Sequence, residues 1–329
     1  MSSSHILYDV PGDTDNKVSE YQEGLRNETA AMLDKFLHFG TDCPKILGEA
    51  IRYSVLAPGK RLRPLLTLAV CDLCGGERQN ALYAAGAVEL IHAYSLIHDD
   101  LPAMDNDDLR RGIPTCHKKF DEATAILAGD AALALAFESI GNIEPAELAG
   151  CCCKELAVAS GPCQLVGGQM DDVSRENAEK SGILYGWKEI PEVSRQLLER
   201  IHNRKTGALI CVSVRLGAMI AGVSKEIQDL LEKFGIHFGL AFQITDDLID
   251  VISDSKTAGK RTQKDEEKSK LSYPALLGII QSQKEAEKNI QIADEALKQA
   301  AELLGNNALN SLPRLTLSTL AYSLIGRKK

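Results

Sequence analysis

Residues 82–105 read LYAAGAVELIHAYSLIHDDLPAMD. From Leu82 to His98 the stretch is rich in Ala and Leu, and its apolar positions recur at spacings of three and four, which predicts a helix. A helix this apolar has to bury most of its surface against other helices. It closes on His98-Asp99-Asp100, and Pro102 then bends the chain. Asp105 is therefore expected to join Asp99 from a turn rather than from the next helical position.

The same pattern extends outward. Ala123–Ile140 is a second Ala/Leu-rich helix, and helical signals dominate from about Ser19 onward. Strand-like alternation of Val, Ile, Thr and aromatics is scarce. Breaks fall at Pro58-Gly59, Gly75-Gly76, Gly112-Ile113-Pro114, Gly161-Pro162 and Gly305. Neither a repeat period nor a low-complexity linker divides the 329 residues. The expectation is a loose polar tail over residues 1–16 and a single all-α domain over 17–329.

Composition narrows the function classes. The chain carries 37 Lys/Arg against 46 Asp/Glu, a formal net charge of −9, and aromatics make up 5%. That argues against nucleic acid as a partner, since a phosphate backbone selects for cationic excess and single strands for stacking rings. The apolar run from Ala208 to Val223 is interrupted by Arg215, so no membrane span is expected. The opening Met-Ser-Ser-Ser-His lacks the basic and apolar regions of a signal peptide. With nine cysteines, reduced thiols in a cytoplasm are the simplest reading. Cys71-x-x-Cys74 has no second pair, and it reads as buried helix packing rather than half a zinc site, as does Cys151-Cys152-Cys153.

A second acidic cluster, Gln243-Ile-Thr-Asp-Asp-Leu-Ile-Asp250, is expected to close another apolar helix, with Asp246 and Asp250 four apart on one face. Two carboxylates about 5 Å apart at an effective dielectric near 20 repel by roughly 3 kcal/mol, so a cation is wanted. Oxygen-only donors suit Mg²⁺, which keeps waters and shares phosphate oxygens. The basic residues fit that company. Lys60 and Arg63 start a helix, Arg110-Arg111 follow the first acidic cluster, Lys205-Thr206 sit mid-chain, and Lys260 and Lys270 follow the second cluster. Gly59-Lys60 lacks the glycine-rich lead of a P-loop. Carboxylates that recruit Mg²⁺, beside two separate basic groups, suit two diphosphate substrates.

Asp99-Asp-x-x-x-x-Asp105, Gly59-Lys-Arg-x-Arg-Pro64, Gly168-Gln-x-x-Asp172, Lys205-Thr206 and Asp246-Asp-x-x-Asp250 together resemble the trans-isoprenyl diphosphate synthases, in order, from about residue 20 to the C-terminus. The phrase from Ile91 to His117 is most similar to bacterial farnesyl and plastid-type geranylgeranyl diphosphate synthases. The resemblance implies antiparallel helices around a deep central cavity, usually in a homodimer. It implies three Mg²⁺ bridging an allylic diphosphate to Asp99, Asp105 and Asp246, with Asp100, Asp247 and Asp250 as further or supporting ligands. Arg110, Lys205, Gln243, Lys260 and, more weakly, Lys270 would hold that dimethylallyl or geranyl diphosphate. Lys60, Arg63, His92 and Arg111 would hold isopentenyl diphosphate, and Thr206, Gln169 and Asp172 would stabilise the cation.

His92 lies two turns before Asp99 on the same face, Ser95 one turn before it, and Tyr94 five residues before it. A ring at 94 could floor the cavity, and by analogy the Tyr94-Ser95 pair favours farnesyl diphosphate, with geranylgeranyl diphosphate the alternative. The segment 174–192, with Gly186-Trp187, is longer than in compact relatives, and either Asp171 or Asp172 could face inward. Three rivals remain. Glu89-x-x-His92 and Glu199-x-x-His202 match the pattern of a di-iron bundle but leave Lys60, Arg63 and Lys205 without use. A terpene cyclase would usually carry an Asn/Ser/Glu motif in place of the second acidic cluster. A non-catalytic partner subunit would be expected to lose acidic residues that are complete here.

Overall fold

The computed structural model describes residues 12–181, 194–258 and 272–325. Helix α1 (Gly12–Phe36) begins inside the stretch expected as a tail, because Val18, Leu25 and Leu33 bury one stripe of it against the core and draw the preceding turn into the helix. Helices α2 (Lys45–Val55) and α3 (Leu62–Leu73) lead to α4 (Arg78–Asp99), which is the predicted helix extended by four residues at its start. That extension has a cause: Glu77 caps α4 by accepting hydrogen bonds from the amides of Gln79 (2.9 Å) and Asn80 (2.6 Å).

Between Ala84 and Ile91 every residue of α4 is buried, so the helix is a central post. It packs on α1, α3 and α6 (Glu122–Gly141), with α7 (Ala146–Ser160) and α10 (Ala208–Ile220) closing the far side. Small residues set the close crossings. A Cβ on Gly217 would fall 2.5 Å from the Thr67 carbonyl oxygen, so α10 meets the backbone of α3 only because position 217 has none. Burial pushes the thiols of Cys71 and Cys74, at the end of α3, up to about 12.

Leu109–Arg110 and Ile113–Pro114 form a two-residue antiparallel hairpin, β1 and β2, followed by the short α5 (Cys116–Lys119). Next along the chain come α8 (Leu165–Ser181), α9 (Arg195–His202), a π-helical turn at Asn203–Gly207, and α11 (Lys225–Ala258). Contrary to expectation, α11 does not close at the second acidic cluster. It continues eight residues beyond Asp250, since neither Gly nor Pro follows to stop it before Gly259. Helix α12 (Tyr273–Leu277), α13 (Ile279–Leu304), α14 (Asn306–Leu309) and α15 (Leu312–Tyr322) complete the order. The mutually tilted rings of Phe234 and Phe238 of α11 (centroids 5.6 Å apart) are buried, as are Ile290, Ala293 and Leu297 of α13, the helix packed beside it. Each predicted break falls between elements or in the hairpin.

Candidate active site

A cavity of about 1300 Å³ opens among α1, α3, α4, α6, α8, the π turn and α11. One wall is basic. The loop before α3 holds Arg61 in the left-handed region (φ 50°), and its guanidinium donates to Glu89 (2.5 Å) and to the Ala57 carbonyl (2.7 Å). Arg111 (φ 53°) donates to the Pro58 carbonyl at 2.9 Å, crossing above Gly59, where a Cβ would lie 2.1 Å from its Nη1. Arg26 of α1 donates to the Lys60 carbonyl (3.3 Å). Burial presses Arg63 down to about 10, with Arg111 adding to the effect and Glu89 opposing it. Its Nε has no hydrogen-bond partner among the described residues. His92 is held well below its ordinary value, first by burial and then by Arg63, Arg111, Arg110 and Arg61, so its imidazole is neutral. This wall is a preformed host for an anion.

The facing wall is acidic. Asp99 and Asp246 line the cavity, and burial pushes the Asp99 carboxyl up from 3.8 to about 6, against the attraction of Lys205 and with repulsion from Asp105. The Asp105 amide donates to the Asp99 carbonyl (2.8 Å), so the chain turns back after Pro102 as expected, with the Asp105 side chain exposed and outside the cavity lining. Asp100 does not look into the cavity. One residue is about 100° of helix, which turns its buried carboxylate toward Arg110, donating from Nε at 2.7 and 3.0 Å with Nη2 at 2.6 Å. Its place is behind the acidic wall, holding Arg110. Asp247 is likewise turned away: it accepts from the Tyr273 amide (2.9 Å), which ties α11 to α12, and from Gln243 Nε2 (3.0 Å) one turn earlier on α11, so Gln243 orients Asp247 rather than lining the cavity. Asp250 is exposed on the Asp246 face, outside the lining.

The π turn brings Lys205 and Thr206 to the cavity. It is possible because α8 passes close at Gly168, where a Cβ would lie 2.4 Å from the Lys205 amide nitrogen. Lys205 Nζ meets Asp172 at 2.5 Å, and Asp172, Asp99 and Asp105 together keep its ammonium protonated in spite of burial. Asp171 turns instead to Arg204 (2.6 Å) and Arg200 (3.6 Å), so of the two carboxylates Asp172 is the one paired with the cavity-lining Lys205, without lining the cavity itself. Gln169 lines the cavity with its Nε2 buried and without a partner among the described residues.

Residues 44–306 match the Polyprenyl synthetase family. The chain belongs to that family. It is 45% identical over 286 residues to farnesyl diphosphate synthase of Escherichia coli, covering 85% of this chain and 89% of that one. It is 44% identical over 283 residues to geranylgeranyl pyrophosphate synthase 3 of Arabidopsis thaliana, covering 84% and 73%. Among solved structures it is similar to an FPP/GFPP synthase from Zymomonas mobilis, with a TM-score of 0.77 and 34% identity over 95% of this chain and all of that one.

In this polyprenyl synthetase the cavity lining also has an apolar part, formed by Tyr94, Leu101, Ile126, Leu165 and Phe242. Ser95 also lines it and donates to the His92 carbonyl (3.0 Å). Lys260, Lys270 and most of the 174–192 segment lie outside the described residues. Among the described residues no three His, Cys, Asp or Glu side chains stand close enough to hold a metal by themselves. The two Glu-x-x-His pairs are separately engaged: Glu89 with Arg61, Glu199 with Arg195 (2.7 Å), and His202 against the Tyr273 ring (5.7 Å). The acidic wall nevertheless fits Mg²⁺. Its donors are all oxygen, and Asp99 is held in a protonation balance that a cation would relieve. Sequence reasoning passed over Arg61, Arg26 and the true role of Glu89; the only signal was the run of cations from Lys60 to Arg63, which needs a counter-ion if buried.

Proposed function

We propose that the protein condenses isopentenyl diphosphate with dimethylallyl and geranyl diphosphates and releases farnesyl diphosphate. The observation that carries this reading is a single cavity lined by two charged groups of residues together with apolar side chains. One holds Asp99, Asp246 and Lys205, and the other Lys60, Arg63, Arg111 and a neutral His92.

The allylic diphosphate lies against the acidic wall, where Lys205 and Arg110 contact its phosphate oxygens. Magnesium ions, three in this reading, would be held by Asp99, Asp105 and Asp246, and would supply neutralisation of the leaving group's charge. The allylic C–O bond breaks, and its electron pair leaves with pyrophosphate. Lys205, fixed by Asp172, meets the charge that develops there. The resulting cation sits beside the polar groups of Thr206 and Gln169. Isopentenyl diphosphate is held by Lys60, Arg63 and Arg111. His92, neutral, serves as a hydrogen-bonding partner rather than an acid. The isopentenyl double bond donates its electron pair to the allylic carbon, forming the new C–C bond. A proton leaves the adjacent carbon for a pyrophosphate oxygen, restoring a double bond. The chain grows toward Tyr94.

A homodimer in a reducing cytoplasm belongs to the same reading. Leu127 on α6, 57% exposed and outside the cavity lining, is apolar surface that a second copy would cover. Helix α6 is the one described helix long and apolar enough to cross a bilayer, and its packing on α4 supports a core role. All nine cysteines are free thiols, which supports the compartment.

The test is incubation with Mg²⁺, isopentenyl diphosphate and each allylic diphosphate separately, with mass spectrometry of the dephosphorylated products. Farnesol from both starters is expected. Geranylgeraniol would keep the enzyme and move the product to the alternative, and no elongation with any starter would leave the partner-subunit reading standing.

A further inference from the structure

Tyr94 and His98 are one turn apart on α4, and both line the cavity. Their rings meet edge to face, with centroids 5.3 Å apart and planes at 83°. His98 in turn is seated on the neighbouring helix. A Cβ on Gly129 of α6 would lie 2.1 Å from His98 Nε2, 2.4 Å from Cδ2 and 2.9 Å from Cε1, so the imidazole occupies the space that any other residue's side chain would fill. The missing side chain also uncovers the Ile126 carbonyl three residues upstream, whose oxygen lies 3.0 Å from His98 Nε2. A carbonyl can only accept, so Nε2 carries the proton and the bond fixes the ring's orientation. Asp130 Oδ1, 3.9 Å away, flanks the same nitrogen.

We propose that His98, seated in the Gly129 notch, is a specificity-positioning residue: it props the Tyr94 ring across the end of the cavity and so sets product length. The stop is then an assembly spanning two helices, and Gly129, which does not line the cavity, belongs to it. The inference rests on the cavity holding the growing prenyl chain, as in the reading above. Without the prop, the Tyr94 ring keeps its place on α4 but loses the surface that prevents it from swinging aside under a longer chain.

The experiment uses the full-length wild type, His98→Ala, Gly129→Ala, Tyr94→Ala and Tyr94→Ala/His98→Ala. Each is incubated with Mg²⁺, isopentenyl diphosphate and geranyl diphosphate, the twenty- to fifteen-carbon alcohol ratio is read by mass spectrometry, and each variant's melting temperature is taken. His98→Ala and Gly129→Ala, acting from opposite helices, are each expected to raise the ratio at least tenfold. The double variant should not exceed Tyr94→Ala, because both changes remove one stop. A wild-type ratio in folded His98→Ala and Gly129→Ala, with Tyr94→Ala alone lengthening the product, would overturn the inference. So would independent, multiplying effects in the double variant. Failure of the underlying reading is separate: the wild type itself would then elongate nothing. If the wild type makes twenty-carbon product, the same comparison applies one unit further on, at twenty-five against twenty.

Discussion

Replacing Asp99 by Asn is expected to stabilise the metal-free protein while destroying its activity. Asn keeps the shape and removes the charge. The Asp99 carboxyl is raised from 3.8 to about 6 by burial, which outweighs the attraction of Lys205 and Arg110, while Asp105 and Asp100 add repulsion. A raised carboxyl pKa means that the folded state resists ionisation. The associated stability is present below about pH 4, declines as pH rises to 6, and is fully lost above it. At 1.36 kcal/mol per unit, ionised Asp99 costs the folded protein about 3 kcal/mol at pH 7.5. With an unfolding entropy near 2.1 cal/mol/K per residue, that corresponds to roughly 4 °C in this chain. The assay is thermal unfolding of wild type and Asp99→Asn in chelator, at pH 7.5 and pH 5. The variant should melt about 4 °C higher at pH 7.5, and at pH 5 the gap should fall to about half. Added Mg²⁺ with pyrophosphate should raise the wild type more than the variant, and turnover should drop at least a hundredfold. A variant that melts lower than wild type in chelator at pH 7.5, or that keeps near-normal turnover, would refute the electrostatic account of the acidic wall.

Further outcomes follow from individual contacts. Glu89→Ala leaves the Arg61 guanidinium, 10% exposed, without its 2.5 Å partner, and should cost about 3–5 kcal/mol in urea unfolding, whereas Glu89→Gln should cost less. Lys205→Ala removes a charged donor from the allylic side and should lower kcat/KM for geranyl diphosphate roughly 10- to 100-fold, with KM for isopentenyl diphosphate nearly unchanged. Arg63→Ala should show the reverse split, and if both variants weakened both substrates alike, the two-wall assignment would fail. Gly217→Ala forces a methyl to within 2.5 Å of the Thr67 carbonyl and should destabilise by about 1–3 kcal/mol, while Gly24→Ala, with open space at its Cβ, should stabilise by about 0.5–1 kcal/mol in the same melts.

The central post was readable because its pattern is local. Apart from Glu89, Ala84 to Ile91 is apolar all round, and a helix so composed must be buried, whatever its neighbours. The turn to Asp105 was readable for the same reason, since Pro102 acts on its own backbone. What could not be read depends on partners distant in sequence. Asp99 and Asp100 are adjacent and identical in type, yet one lines the cavity and the other holds Arg110, and only the packing of the hairpin beside α4 decides which. The π turn at Asn203–Gly207 has no local signature, because it answers the approach of Gly168 from 35 residues upstream. Glu89 looked like a metal ligand by its spacing to His92, and the guanidinium that claims it lies 28 residues away in a left-handed loop residue.

That loop shows how strain and charge are distributed in the molecule. Arg61 and Arg111 both adopt positive φ, at a cost of about 1–2 kcal/mol each for residues with a Cβ. Each is held by its own guanidinium donating to a carbonyl of the 57–58 turn, so Arg111, which would bind anion, and Arg61, paired with Glu89, also maintain the backbone of this wall. Across the cavity the acidic wall is likewise held at a cost, with Asp99 resisting ionisation. The apolar end differs: its rings stack edge to face, and its helices meet over glycines without crowding. Free energy is therefore stored where highly charged head groups and cations would release it on binding, and not where a hydrocarbon chain would lie. Each diphosphate would gain from its own wall, the allylic one with its metal from the acidic side and isopentenyl diphosphate from the basic side, whereas the prenyl chain would gain only burial. Head-group recognition should accordingly dominate affinity, leaving the apolar end to discriminate by length alone.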